Sequence, residues 1–226
     1  LHQPLRRSGP SDRSDLMLDP VSQVVVWIGT REVGSLGHQW VQLGWTEADH
    51  DRISLQRRLA VLRLPVAALR HHGFVRPAHP TATTWGPEAV GVGPDGTALA
   101  VWPYREGPNR KQVTWHVGGR RRVLGCVEVE TDLRVSFVQP LPKGRILLAA
   151  GRTDPGAANG EVWTSDGNLT ERGHLGDAIE EVLTTPSGKV WAGYFDEAMG
   201  GGGPQGHGVA RFNADLTVAA AHPVSD

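Results

Sequence analysis

Three stretches of the chain repeat one order of apolar and polar positions. Residues 90–102 read VGVGPDGTALAVW, residues 138–151 read VQPLPKGRILLAAG and residues 182–195 read VLTTPSGKVWAGYF. Aligned on Gly96, Gly144 and Gly188, each copy has a valine six residues earlier (Val90, Val138, Val182) and a proline two residues earlier (Pro94, Pro142, Pro186). The pattern predicts an apolar strand, a tight turn and a second apolar strand, because proline presets the first corner of a turn and glycine accepts the positive φ that closes it. The anchoring glycines lie 48 and 44 residues apart. A third strand is expected at Gln112–Trp115, Glu161–Trp163 and Val209–Phe212, each ending in an aromatic residue (Trp115, Trp163, Phe212) with a turn signal after it. Arg121–Glu130 and Leu169–Leu175 supply fourth strands for the first two copies. The unit is therefore four antiparallel strands in about 45 residues.

This unit, and the phrase PSGKVWAGYF from Pro186 to Phe195 above all, resembles the blades of WD-repeat proteins and of the two-component-regulator propellers of bacteria. The resemblance covers about residues 86–218. The Trp-Asp dipeptide is absent, since Thr164 follows Trp163. The resemblance implies an all-β chain folded as a β-propeller, a scaffold that serves enzymes, sensors and interaction platforms alike. About four blades are visible, which leaves an incomplete ring possible.

The division expected is a flexible lead-in over residues 1–20 and propeller, or propeller fragment, over residues 21–226. In the N-terminal third, Val24–Gly29, Gln39–Trp45 and Arg58–Leu64 read as strands two to four of a further blade. A helix over Asp51–Leu64 competes with the last of these, because Leu55, Leu59 and Leu62 share a helical face. Only Ala219–Asp226 follow the third strand of the last copy, so a fourth strand there is barely available, and the chain reads as a piece of a longer repeat protein.

Composition supports many short elements: 29 Gly and 16 Pro interrupt the 226 residues too often for long helices. Charge removes two classes of partner, since 23 basic against 24 acidic residues give a net −1 and no field to draw in nucleic acid or an anionic membrane. No apolar run reaches the ~18 residues of a membrane span. The first twenty residues lack the apolar stretch of a secretory signal, so the expected compartment is the cytoplasm. The single cysteine, Cys126, lies among Leu124, Val127 and Val129 and reads as a buried small apolar residue.

Candidate chemistry is sparse. No HExxH, CxxC, GxSxG or GK[ST] pattern occurs, and His71-His72, the adjacent histidine pair, makes a poor chelate on a strand. Loops between strands two and three, and the links between blades, should emerge at one end. That places Asp177, Glu180, Asp196 and Glu197 where they are expected to bind a ligand as an acidic rim, with a divalent cation as a possible occupant and at least one carboxyl titrating high. No other cofactor is implied. The expected function is a noncatalytic binding or scaffold module that offers its loop face to a protein or small ligand. One alternative is a metal-dependent, lactonase-like hydrolase using channel carboxylates and an asparagine, which the sequence does not clearly supply, since Asn109 and Asn159 lie in loops between strands two and three and Asn168 and Asn213 at outer hairpins; another is a remnant without independent role.

Overall fold

The computed structural model describes residues 24–32, 38–46, 69–79, 86–117, 123–195, 198 and 202–222. These residues form an all-β fold. The first repeat is a sheet of β4 (Ala89–Val92), β5 (Thr97–Pro103), β6 (Arg110–Val117) and β7 (Gly125–Glu130). The second is β8 (Phe137–Leu141), β9 (Arg145–Ala149), β10 (Gly160–Trp163) and β11 (Leu169–Gly173), and the third is β12 (Ile179–Thr184), β13 (Val190–Tyr194), β14 (Val209–Phe212) and β15 (Val218–His222). Each is a four-stranded antiparallel meander in chain order. Val90, Val138 and Val182 lie on the first strand of their sheets. Gly96, Gly144 and Gly188 close the turns that follow, at φ 80, 71 and 82. The middle turn, Pro142–Gly144, is a 3-10 turn tightened by Lys143 at φ 65.

Two expectations about strand ends are corrected. Val218–His222 does form a fourth strand, paired with β14. Short as it is, the run VAAAH supplies the backbone partners that β14 needs. The fourth strand of the first sheet begins only at Gly125. On it Val127 and Val129 point inward, whereas Cys126 alternates outward and is exposed, with its Sγ 3.9 Å from His79 Nε2. Cys126 is thus a surface thiol and not a core residue.

Before the repeats stands a three-stranded sheet of β1 (Val24–Glu32), β2 (His38–Thr46) and β3 (Leu69–Val75), in the order β2-β1-β3. β1 and β2 match two of the strands expected there. The Arg58–Leu64 strand and its helical competitor lie outside the described residues. In the observed sheet the third strand is β3, which carries His71 and His72 and pairs with β1.

The repeat sheets stack face to face, with the first strands β4, β8 and β12 as successive neighbours. One core joins Leu99, Val101 and Val113 of the first sheet to Val138, Ile146, Leu148 and Trp163 of the second. Another joins Leu147, Ala149 and Val162 of the second to Val182, Val190, Ala192 and Phe212 of the third. A third lies on the opposite side of the first sheet, where Trp102 is wholly buried with Val75, Val90 and Ala100. Its indole N–H donates to Thr114 Oγ1 at 2.9 Å, the partner a buried tryptophan needs.

The register also corrects the expected aromatic repeat. Trp163 lies opposite Ile146 and Phe212 opposite Val190, but Trp115 lies opposite Leu99, one position out of step. A one-residue slip moves a strand side chain to the other face. The residue of the first sheet equivalent to Trp163 and Phe212 is therefore His116. Trp115 and Trp163 still meet in one core, approaching it from opposite sheets. Among the described residues no helix is long and apolar enough to cross a membrane.

Candidate functional site

The loops and links expected to share one end of the sheets are tied to one another there. The β9–β10 loop (residues 150–159) meets the β11–β12 link (residues 174–178) through Asn159, which is 1% exposed. Its Nδ2 donates to Ala150 O at 3.0 Å and to Gly176 O at 2.8 Å, and its Oδ1 accepts from the Leu175 amide at 2.7 Å. Both amide protons and the carbonyl are committed to the backbone. Tyr194, from β13, donates its hydroxyl to Leu175 O, and burial pushes its phenol above the ordinary range. His174 Nδ1 lies 2.7 Å from Ala157 O, a contact that requires the proton on Nδ1.

Asp177 belongs to the same lattice. The Thr153 amide donates to its Oδ1 at 2.9 Å and Arg152 stands 3.7 Å from its Oδ2. The Thr153 amide, then the Ala178 amide and the Arg152 charge, hold this carboxyl below the usual carboxylate range. That direction is opposite to the one expected of a repelling acidic cluster. Ala178, the next residue, takes a left-handed φ of 55 as the link turns into β12. Glu180 is exposed at the β-bulge that interrupts β12 pairing between Ile179 and Glu181. Asp196 and Glu197 lie outside the described residues. Among the described residues no three His, Cys, Asp or Glu side chains gather closely enough to hold a metal ion.

Among the described residues, the carboxyl that titrates high is Glu181, which the sequence reading passed over. Although the residue is exposed, desolvation of its carboxyl, with the Glu180 charge adding to it, pushes its pKa up to about 7. A signal existed: counting back seven residues from the anchoring glycine, Glu181 stands where the other copies have Ala89 and Phe137.

Because Glu181 binds its proton more tightly folded than unfolded, its contribution to stability is complete below the unfolded value of 4.5 and is lost as pH rises through about 7. Glu181→Gln should therefore melt with the parent in acid and above it at about pH 8, by on the order of 1 kcal/mol once solvent screening is discounted. Thermal melts of both proteins across this range check it; a gap that does not change with pH contradicts it.

No protein-family model matches the chain. No curated protein matches it either. Among solved structures, it is similar to a protein of unknown function from Bacteroides caccae, at 14% identity and a TM-score of 0.34, over 68% of this chain and 71% of that one.

Proposed function

We propose that the repeat sheets are blades of a β-propeller and that the chain is a noncatalytic binding module, whose loop end receives a protein segment or small ligand. The blade reading is supported by three meanders of one design, stacked with their first strands adjacent and equivalent faces turned the same way. The observation that carries the binding reading is the cross-tied loop end. Asn159, Asp177 and Tyr194 spend their polar groups on holding one loop and one link in place. A surface ordered in advance binds with less loss of entropy.

The exposed acids on it, Asp154 and Glu180, favour a basic ligand. Of the two loop asparagines weighed for a hydrolase's cation, Asn159 gives its oxygen to the Leu175 amide, and Asn109 donates from Nδ2 to Asp132 Oδ1 at 2.6 Å on the exposed surface.

Titration with a short lysine-rich peptide, followed by amide chemical shifts, tests this. The shifts are expected at residues 150–159 and 174–180, and Asp154→Asn with Glu180→Gln should weaken binding about tenfold. No binding, or shifts centred on the opposite turns at residues 93–97, 164–168 and 213–217, would overturn it.

A further inference from the structure

Of the four asparagines in the chain, Asn168 alone is followed two positions later by a hydroxyl residue. Asn168-Leu169-Thr170 satisfies the Asn-x-Ser/Thr pattern read by enzymes that attach sugars to asparagine. The pattern matters only where a transferase can reach it. Here it begins at the tip of the β10–β11 hairpin and runs into β11, and both Asn168 and Thr170 are exposed. β11 is the end strand of the second sheet, and none of its residues is buried.

The fold itself does not require an asparagine at this position. The turn is closed by the Thr164 amide donating to Asn168 O and the Gly167 amide donating to Thr164 O. The turn between β14 and β15 is closed in the same way from Asn213 to Thr217, so Thr217 stands where the second sheet has Asn168. Each of these two side chains donates to the aspartate two residues before it. Asn168 Nδ2 donates to Asp166 Oδ2 at 2.8 Å, and Thr217 Oγ1 donates to Asp215 Oδ1 at 2.6 Å. A hydroxyl therefore suffices for the turn, and what Asn168 adds is a carboxamide nitrogen. Asp166 is exposed, so water can replace its contact with that nitrogen when a transferase takes hold of the turn. Thr170 Oγ1 donates to Val162 O at 3.0 Å, and a hydroxyl that donates keeps its capacity to accept.

We propose that Asn168 is an acceptor for N-linked glycosylation, from a donor whose sugar is carried on a diphosphate. In the transfer Asn168 Nδ2 forms a bond to the anomeric carbon of the sugar. The bond from that carbon to the diphosphate oxygen breaks with its electron pair, and one Nδ2 proton passes to a base of the transferase. The diphosphate leaves on a nucleoside or on a lipid, and the chemistry at Asn168 is the same for both. A glycan at this place stands beside β11, an edge strand of its sheet, and hinders the addition of another strand there. The hairpin lies at the end of the sheets opposite the loops, so the inference does not rest on the binding reading.

Intact mass and peptide mapping of the full chain, purified from the cells that naturally make it, test the proposal. The parent is expected to carry one glycan, on the peptide containing Asn168. Thr170→Ser should keep that glycan and Thr170→Ala should lose it, although Asn168 is present in both. Asn168→Thr, which copies the turn of the third sheet, should lose it while the circular dichroism stays that of the parent. To identify the donor, unmodified chain is given either the soluble fraction of those cells with nucleotide sugars or their membrane fraction with its own lipid-linked sugars. Transfer in the first arm identifies a nucleoside diphosphate donor, and transfer in the second a lipid diphosphate donor. A parent of unmodified mass, a glycan that survives Asn168→Thr or Thr170→Ala, or transfer in neither arm would overturn the proposal.

Discussion

Gly91→Ala is expected to be among the most damaging single substitutions in the chain. A Cβ at this position would lie 1.6 Å from the carbonyl oxygen of Val138 and 2.8 Å from its carbonyl carbon, both backbone atoms of the neighbouring sheet. No rotamer change relieves such a contact, so β4 and β8 must separate. The core containing Ala89, Leu99 and Val138 would open with them. A clash that forces backbone apart belongs with the largest point-mutant effects, about 4 kcal/mol or more, a large share of a domain's whole stability. Gly193→Ala is the matching control, since its methyl group enters open space on β13. It should be neutral or slightly stabilising, because alanine narrows the unfolded ensemble. Urea titrations of the two variants should differ widely in midpoint; similar midpoints would mean that β4 and β8 do not approach so closely.

The second large effect is expected at Glu88, which joins two sheets. Its Oε2 accepts from Lys111 Nζ at 2.6 Å, and its Oε1 accepts from the Val135 amide, in the link to the second sheet, at 2.8 Å. The Lys111 side chain is 5% exposed and has one further acceptor, Pro108 O. Glu88→Ala would leave a buried ammonium and a backbone N–H without this partner, a loss of about 3–5 kcal/mol. Lys111→Met should cost less, because the remaining carboxylate is 19% exposed and can hydrate. Combining Glu88→Gln with Lys111→Met should be milder than Glu88→Ala alone, since it removes both charges together. Chemical denaturation of the three variants gives this order directly; equal losses would show that Lys111 finds other solvation.

What the sequence disclosed was whatever local chemistry repeats. The Pro-x-Gly turns and their flanking apolar runs are set by backbone geometry within a few residues, and the strands on both sides of Gly96, Gly144 and Gly188 follow from them. Faces were harder to read. Trp115 shares its spacing with Trp163 and Phe212, yet the longer first-sheet hairpin shifts its register by one residue and so reverses its side. Cys126 was misjudged for the same reason, because apolar neighbours in sequence on an alternating strand say nothing of the residue between them.

The loop end was legible as a place but not in its wiring. The sequence placed Asn159 in a loop between strands two and three without a role, whereas its three hydrogen bonds go to backbone groups up to 17 residues away. Glu88 carried no signal at all, because Lys111 and Val135 are 23 and 47 residues distant in sequence. Glu181 could have been found by its substitution for Ala89 and Phe137 in the repeat.

The central claim is that equivalent sheets stack around adjacent first strands. Gln139 on β8 donates from Nε2 to Val182 O on β12 at 3.1 Å, and Thr184 Oγ1 donates to Pro140 O at 2.9 Å. Nuclear Overhauser contacts along these strands test the claim most directly. The account predicts strong contacts from Gly91 Hα to Val138 and Gln139, and from the Gln139 side-chain amide to Val182 and Leu183. Gly91 and Gln139 showing contacts only within their own sheets, with none between β4 and β8 or between β8 and β12, would contradict it.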